Sequence, residues 1–438
     1  MVPVVLKGVI TRVYGRDVFS CMLHDGIRAH EFSSREFFQA GESVRAQCES
    51  EGGKLVAGKV EKVPDLYPEV EERLMGAAKL QPAGKFDKTA EMLAPALERI
   101  ARKIYAAQGL GRHTVVKFHG DADGISSALI FRKFLRANYA QQNGAIYSAS
   151  EAMRDVERMG QQFRPLLVLL DFGSGEDSAQ GLRIARSAGI EIISLDHHPP
   201  HQSSVPSFAL RANPWDVVPE GGDGSRYPAG FVCSLLAPMF GAEAGGLEKL
   251  ACAGDRSEIM PLSEEDRKRA LVLDFVATYS GFGQGIDFYS EVLSKPELFG
   301  TILLQAESRL EEADAQLRAA LKFKKTPKAD IYWFNLDNIS EKREFPNRGK
   351  ISGRVFEIVG GNRPIVAIGV SKRTIIFRMN DLAVANGLRA DSIIGAMKSS
   401  FSDFVENGGG HARAAALRIT EGFEAAAVEE IIKMIERN

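Results

Sequence analysis

The chain has 438 residues, 45% of them hydrophobic and 26% charged, and its formal net charge is −2. This composition is typical of a globular protein of roughly two to four domains, and it carries no bulk basic signal for nucleic acid, although a local groove could still be basic. The four cysteines form no CxxC pair, which argues against zinc-knuckle and redox sites. No apolar run approaches the ~18 residues of a membrane span and the start lacks a signal-peptide pattern, so we expect a cytoplasmic protein with no membrane association.

Residues 1–64 contain five short, partly alternating apolar runs separated by turn residues such as Asp25-Gly26 and Gly52-Gly53. This spacing predicts a small β-barrel similar to the oligonucleotide-binding fold. Aromatic residues and arginines are interleaved in the same stretch, which suits stacking on single-stranded nucleic acid. A barrel without a nucleic-acid role is the alternative, because many of these rings must fill the core. Residues 65–110 are expected to form a linker and a helix.

Between residues 111 and 305, apolar strand-like runs alternate with helical segments, which predicts a domain built on a parallel α/β sheet. Strands are expected at residues 114–118, 166–170 and 190–195, and helices at residues 125–140 and 179–188. A charged helix is expected to connect this domain, across residues 306–328, to a smaller mixed α/β domain at residues 329–438. Four lysines and a proline at residues 322–328 indicate a hinge, residues 355–359 are expected to be a strand, and a helix is expected at residues 425–436.

Four short polar patches follow apolar runs that are typical of buried strands. They are His119-x-Asp121-x-Asp123, Asp171, Asp196-His197-His198 and Asp255. Parallel sheets gather the carboxyl ends of their strands at one edge, so these side chains are expected to meet there. Carboxylates and imidazoles together can hold two divalent cations, and this mixed donor set favours manganese over calcium.

Each patch has a simpler explanation when it is taken singly. Asp121 and Asp171 are also the residue type that caps helices and forms turns, and Asp255 is a weak signal alone. The adjacent pair His197-His198 before Pro199-Pro200 is harder to explain by packing. His201, nearby in sequence, is expected at the surface without a role. The joint pattern therefore carries the metal-site hypothesis.

The same residues resemble the signature motifs of the DHH phosphoesterase superfamily, which is named for the Asp196-His197-His198 pattern. The His119, Asp171 and Asp255 patches match its first, second and fourth motifs in order, and Gly408-Gly409-Gly410-His411 resembles the GGGH motif of the C-terminal domain that accompanies DHH domains. The chain is most similar to the archaeal RecJ-like nucleases. It departs from bacterial RecJ in its shorter first motif and its N-terminal barrel, which leaves the polarity of digestion open.

The resemblance implies a role for each matching position. His119 and Asp121 would bind one metal; Asp123, His197 and Asp255 would bind the other; and Asp171 would bridge both. Asp196 would orient a ligand imidazole, and His198 would contact the scissile phosphate. Gly408, Gly409, Gly410 and His411 would bind a phosphate, and Arg378 matches, less specifically, a phosphate-binding arginine.

The resemblance therefore implies a metal-dependent exonuclease that hydrolyses single-stranded DNA or RNA by a two-metal mechanism and releases mononucleotides. Two Mn²⁺ ions, or Mg²⁺ ions, would be the cofactors, and a helicase or replisome component a possible partner. Two alternatives stay open: a phosphatase or phosphodiesterase of short oligonucleotides or nucleotides, and a replication or repair scaffold that has lost catalysis.

Overall fold

The computed structural model describes residues 4–200, 210–279, 285–339 and 344–437. The chain divides into two compact units, the first comprising residues 1–270 and 285–288 and the second residues 271–284 and 289–438. Within the described ranges, no helix is both long enough and apolar enough to cross a membrane. The expected domain boundaries at residues 305 and 328 stay predictions.

The first unit begins with a closed five-stranded barrel in the order β1-β2-β3-β5-β4, which confirms the barrel expected from the turn spacing. Its strands are β1 (Val4–Tyr14), β2 (Phe19–His24), β3 (Ala29–Ser34), β4 (Ser43–Glu51) and β5 (Lys54–Lys62). Inward-facing side chains such as Ile10, Leu23 and Phe32 fill its core. Two helices, α1 (Tyr67–Ala77) and α2 (Lys88–Gly109), follow the barrel.

A parallel five-stranded sheet forms the centre of this unit, as the alternation of strands and helices predicts. Its strands are β6 (Thr114–His119), β7 (Asn138–Gln142), β8 (Leu166–Leu170), β9 (Glu191–Leu195) and β10 (Leu210–Ala212). The spatial order is β10-β9-β8-β6-β7. All five residues of β8 are buried, as is usual for a strand with both faces covered. The chain moves outward in opposite directions from β6 and β8, so the strand order reverses between these two neighbours.

Helices cover the two faces of the sheet and complete the unit. They are α3 (Ala122–Arg132), α4 (Ala149–Met159), α5 (Ala179–Ser187), α6 (Ala229–Leu236) and α7 (Leu247–Gly254). Two expectations were wrong here. The helix expected over residues 125–140 ends at Arg132, because Asn138–Gln142 pairs with β6 as a polar edge strand. The apolar run before Asp255 is the helix α7 rather than a strand.

Two helices contain residues of both units: α8 (Glu264–Tyr279) and α9 (Ile286–Ser294). In the second unit, α10 (Pro296–Ala320) and α11 (Arg348–Val359) pack on one face of a mixed sheet, and α13 (Ala390–Ser400) and α14 (Glu424–Arg437) pack on the other. A short helix, α12 (Asp381–Ala385), follows the fourth strand of this sheet.

The mixed sheet has six strands in the order β11-β12-β13-β14-β16-β15. They are β11 (Lys322–Lys325), β12 (Asp330–Asn335), β13 (Ile365–Ser371), β14 (Thr374–Met379), β15 (Val405–His411) and β16 (Ala414–Ile419). Two further expectations were wrong. The lysine-rich hinge is the edge strand β11, antiparallel to β12. Residues 355–359 end the helix α11, because Ile351 and Val355 bury one helical face after the N-cap residue Asn347.

The helix α4 offers a matched test of core packing, because Met159 is 1% exposed and Met153 is 58% exposed. We expect Met159→Ala to lower the free energy of unfolding by about 2–5 kcal/mol, since it leaves a cavity against β8 and α5. Met153→Ala should change it by less than about 0.5 kcal/mol. Denaturant titration measures both values, and equal effects would contradict this packing.

Candidate metal centre

The predicted ligands of the first unit lie at the carboxyl edge of the parallel sheet, where the strand order reverses. His119 ends β6, Asp171 follows β8, and Asp196 follows β9. Asp255 reaches the same edge from the C-terminus of α7. The chain therefore brings four sequence-distant segments to the place where open α/β sheets bind ligands.

The first motif combines a helix cap with a cluster of donors. Asp121 caps α3 by accepting a hydrogen bond from the backbone N–H of Gly124 at 3.0 Å. Its other carboxylate oxygen lies 2.8 Å from Nδ1 of His119. The Asp121 side chain thus caps the helix with one oxygen and offers the other oxygen as a candidate metal ligand. Gly124 itself is required, because a Cβ there would lie 2.2 Å from the His119 carbonyl oxygen.

Asp123 is fully buried and its carboxylate is held by main-chain donors. The backbone N–H groups of Ala229 and Gly230, in the first turn of α6, donate to its two oxygens at 2.7 and 2.6 Å. The positive end of the α6 dipole adds to this stabilisation. A Cβ on Gly230 would lie 2.6 Å from Cβ of Ala251 and 3.0 Å from Asp123, so only glycine permits this approach.

Asp171 occupies the centre of the cluster in an unusual backbone conformation. Its φ of 65° places it in the left-handed region, which aspartate adopts more readily than most residues. The side chain is nearly inaccessible to solvent, with Oδ2 3.3 Å from Nδ1 of His119 and Oδ1 3.3 Å from Nε2 of His197. Asp171 therefore faces both halves of the donor set.

Asp196 organises the histidine pair from a fully buried position. One oxygen accepts from the backbone N–H groups of His197 and His198 and from Nδ1 of His198 at 2.7 Å, and the other accepts from the N–H of Ser174. With Nδ1 engaged in this way, His198 presents Nε2 as its remaining polar atom, and its side chain is 37% exposed. We infer that Asp196 positions His198 and does not itself bind a metal.

His197 has one ring nitrogen fixed by the main chain. Its Nδ1 lies 3.1 Å from the carbonyl oxygen of Ser225, which can only accept, so Nδ1 carries a proton. Its Nε2 lies 3.1 Å from Asp255 Oδ2 and 3.7 Å from Asp123 Oδ2. A hydrogen bond like the one from Nδ1 to Ser225 orients ligand histidines in metal sites.

Among the residues that the structure describes, three overlapping groups of side chains have ligand atoms close enough to share an ion. They are His119, Asp121 and Asp171; Asp123, His197 and Asp255; and Asp171, His197 and His198. The first two groups, with Asp171 between them, contain the same residues as the predicted ligand sets. In the third group, Nδ1 of His198 is bonded to Asp196, so we favour a role for His198 outside the ligand set.

The protonation equilibria reflect like charges held out of water. Burial raises the pKa of Asp123 well above its usual range, and the carboxylates of Asp171 and Asp255 raise it further. Burial and Asp121 likewise raise the pKa of Asp171. Burial lowers the pKa of His119, but Asp121 and Asp171 outweigh it, so the pKa lies well above its usual value. The cluster therefore lacks enough positive charge of its own.

The pKa values of Asp196 and Asp255 also reflect burial opposed by neighbouring charges, but here the neighbouring imidazoles outweigh burial. Burial opposes ionisation of Asp196, but His198 and His197 outweigh it and hold its pKa far below the usual range. The pKa of Asp255 is also lowered against the effect of burial, mainly by His197. Crowded carboxylates beside two imidazoles fit divalent cations, because such ions supply the missing positive charge and accept both donor types.

The C-terminal motif forms a strand rather than a loop. Gly408, Gly409, Gly410 and His411 belong to β15 and pair with β16. A Cβ on Gly410, whose φ is 147°, would lie 2.3 Å from the Ala414 carbonyl oxygen, whereas a Cβ on Gly409 would have no atom within 4 Å. Packing within the sheet thus explains Gly410 but leaves Gly409 unexplained.

Arg378 and His411 occupy one row of paired positions across three strands, on either side of Ala414. Arg378 is half-buried on β14, close to Gly349 in the first turn of α11. The side chain of His411 and the whole of His201 lie outside the described part of the structure. The phosphate-binding roles of these residues stay predictions.

Some supporting groups were not found from the sequence. The amides of Ala229 and Gly230 and the carbonyl of Ser225 hold the candidate ligands Asp123 and His197, but main-chain groups carry no sequence signature. Asn213 holds the His198 carbonyl with its Nδ2 at 2.9 Å. The dipeptide Asn213-Pro214 is a recognisable turn signal and could have pointed to this segment.

Replacing Asp171 by asparagine separates the charge of this cluster from its shape, since asparagine also tolerates a positive φ. We expect Asp171→Asn to raise the thermal stability of the chelator-treated protein, because it removes a buried negative charge whose ionisation the site opposes. The variant should lose most of the stabilisation by Mn²⁺, which at a hundredfold excess over Kd is about 2.7 kcal/mol per site. Thermal unfolding with and without Mn²⁺ measures both effects. The exposed Asp177→Asn is the control, and wild-type stabilisation of Asp171→Asn by Mn²⁺ would contradict the assignment.

Residues 113–217 match the model of the DHH family N-terminal domain. Uncharacterized protein MJ1198 of Methanocaldococcus jannaschii is 22% identical over 87% of this chain, which spans 59% of that protein's length.

Two solved structures share the fold. The DHH domain of a member of the S1p family of ribosomal proteins superposes with a TM-score of 0.75 at 20% identity, covering 85% of this chain and 98% of that one. RecJ of Thermus thermophilus, solved with Mn²⁺, gives a TM-score of 0.52 at 17% identity, covering 83% of this chain and 56% of RecJ. Residues 113–217 therefore match the DHH family N-terminal domain, and the fold of the chain is similar to the folds of these two structures.

Proposed function

We propose that this protein is a metal-dependent exonuclease that hydrolyses phosphodiester bonds of single-stranded DNA or RNA and releases mononucleotides. The observation that carries the proposal is the position of Asp171 between two groups of candidate ligands: His119 with Asp121, and His197 with Asp123 and Asp255. The RecJ structure solved with Mn²⁺ shares this fold and supports the choice of cation. Mn²⁺ is the preferred candidate, with Mg²⁺ as the alternative.

In this proposal the chain's own residues divide the work. His119 and Asp121 would hold one cation, Asp123, His197 and Asp255 would hold the other, and Asp171 would serve both. When bound, the two cations supply a nucleophile from water at neutral pH and a clamp for the attacking and leaving oxygens.

His198 is the group best placed to act on the substrate from outside the ligand set. Asp196 fixes its Nδ1, which leaves Nε2 to face a phosphate. Burial lowers the pKa of His198, but the Asp196 carboxylate outweighs it, so the pKa is raised and the cationic imidazole is favoured. A cationic imidazole can stabilise charge on a phosphoryl oxygen or donate the Nε2 proton to the leaving oxygen.

In the second unit, Gly409 and the row of Arg378 and His411 are proposed to bind a substrate phosphate. Packing within the protein does not require glycine at position 409, because a Cβ there would meet no other atom. A glycine at this position is consistent with close approach of a ligand. The partnership with a helicase or replisome component and the cytoplasmic location stay predictions.

The central test is an end-labelled substrate panel of long and short single-stranded DNA and RNA, with labels at either end, incubated with Mn²⁺. We expect stepwise release of mononucleotides, with a rate that falls more than the ~100-fold typical of second-sphere changes when Asp171 is replaced by alanine. Asp177→Ala, a change of an exposed aspartate in the same unit, should retain wild-type activity. Cleavage of dinucleotides alone would favour the short-nucleotide phosphodiesterase, and no cleavage with any substrate would overturn the enzymatic proposal.

The role of the second unit is tested by adding one methyl group to its glycine-rich strand. Gly409→Ala should leave the unfolding temperature unchanged, because nothing lies within 4 Å of the new Cβ. It should raise the KM for oligonucleotides at least about tenfold if a phosphate must approach that surface, since tenfold corresponds to about 1.4 kcal/mol of binding. Gly395→Ala, in helix α13 with equally open surroundings, is the matched control. An unchanged KM in Gly409→Ala would remove this residue from the binding site.

A further inference from the structure

A tryptophan that matches none of the family motifs touches the candidate metal centre. Trp215 lies in the short 3-10 helix Pro214–Asp216, which follows β10. Its indole Nε1–H donates to the backbone carbonyl of His197 at 2.9 Å. The turn is closed by Asn213, 1% exposed, whose Oδ1 accepts from the Trp215 backbone N–H at 3.0 Å. The backbone of His197 is thus hydrogen-bonded to a turn that Asn213 closes.

The same tryptophan also packs against the segment that holds the His197 ring. A Cβ on Gly224 would lie 2.7 Å from both Cγ and the backbone nitrogen of Trp215, so only glycine permits this contact. Gly224 is buried, and the carbonyl of the next residue, Ser225, accepts from Nδ1 of His197. Trp215 therefore acts on His197 in two ways. It binds the His197 main chain directly, and it packs on Gly224, which precedes the residue that binds the His197 imidazole.

The segment that carries the Ser225 carbonyl is itself braced. Asp223 Oδ1 accepts from the backbone N–H of Ser225 at 3.0 Å and from its hydroxyl at 2.5 Å. The hydroxyl of Ser257, two residues after Asp255, donates to the carbonyl of Arg226 at 2.5 Å. One connected set of contacts thus reaches both His197 and the chain segment that follows Asp255.

We propose that Trp215 is a positioning residue of the metal centre, which fixes the His197 imidazole with Nδ1 directed to Ser225 and Nε2 directed to Asp123, Asp171 and Asp255. This inference rests on the proposed metal-dependent function. Without the indole N–H and the contact with Gly224, the ring can rotate away and the site keeps its carboxylates but loses one imidazole donor. Imidazole contributes to the binding of Mn²⁺, whereas Mg²⁺ prefers oxygen ligands. Trp215 therefore sets the preference for Mn²⁺ over Mg²⁺.

The test measures binding of each cation by titration calorimetry, without substrate. Trp215→Phe keeps an aromatic ring but removes the N–H donor, and we expect Mn²⁺ affinity to fall about tenfold, within the range of second-sphere changes to metal ligands. Mg²⁺ affinity should change little. Trp333→Phe, the same substitution at the second of the two tryptophans, on β12, is the matched control. Equal loss of affinity for both cations, or no loss for either, would overturn the proposal.

A double-mutant cycle shows whether Trp215 acts through His197. Trp215→Phe introduced into His197→Ala should weaken Mn²⁺ binding no further, because the imidazole it positions is already absent. An additional tenfold loss in that background would contradict the assigned route. If Trp215→Phe does not fold, as judged by circular dichroism, Gly224→Ala replaces it, since the added Cβ displaces the indole. Gly76→Ala, at an open position in α1, is the control for that change.

The wild-type titration separates this inference from the proposed function. If wild-type protein binds neither Mn²⁺ nor Mg²⁺, both fall together. If wild-type protein binds Mn²⁺ and Trp215→Phe binds it equally well, the metal-dependent function stands and the role of Trp215 is rejected.

Discussion

The first unit of this protein depends on one electrostatic constraint, the burial of several carboxylates at a single edge of a parallel sheet. Asp123 and Asp171 are almost completely removed from water, and Asp121 and Asp255 lie beside them. Ionised groups of like sign in such surroundings oppose one another unless positive charge is supplied. The chain supplies part of it from two imidazoles and from helix N-termini, and the shortfall is what makes the cluster suited to divalent cations.

The fold meets this constraint with main-chain groups rather than with extra charged side chains. Helix α6 directs two N–H groups at Asp123, and Asp121 caps the N-terminus of α3, so two positive dipole ends converge on the cluster. Close packing around the cluster requires glycine at two positions: Gly124 lies against the main chain of His119, and Gly230 lies against Ala251 and Asp123. If lysine or arginine side chains faced the cluster instead of helix N-termini, they would neutralise the carboxylates directly and compete with a cation. Helix dipoles stabilise the carboxylates while leaving their remaining lone pairs available.

The second unit differs in that it exposes main-chain groups at the edge of its sheet. Its glycine-rich segment belongs to the edge strand β15, where Gly408 and Gly410 are required by contacts with β16. Gly409 lies between them with open space above it. Three consecutive glycines on an edge strand leave main-chain groups that a phosphate can approach, and the row containing Arg378 crosses to this strand. The proposed division of labour, metal chemistry in one unit and phosphate binding in the other, follows from these different surfaces.

Many of the strands and the clustering of the candidate ligands were predictable from the sequence. Fully apolar runs such as Leu166–Leu170, followed by aspartate, mark strand ends, and the adjacent histidines at 197 and 198 have no packing explanation. Element types were mistaken where local pattern and tertiary pairing disagree: the polar segment Asn138–Gln142 is a strand only because β6 offers it an edge, and Val355 is helical because Ile351 lies one turn before it. The sequence by itself determined which side chains are candidate metal ligands and that most of them follow strands of a parallel sheet. Only the tertiary structure decided what holds those side chains in place, because the amides of Ala229 and Gly230, the carbonyl of Ser225 and the indole of Trp215 reach the site through contacts between segments far apart in the chain.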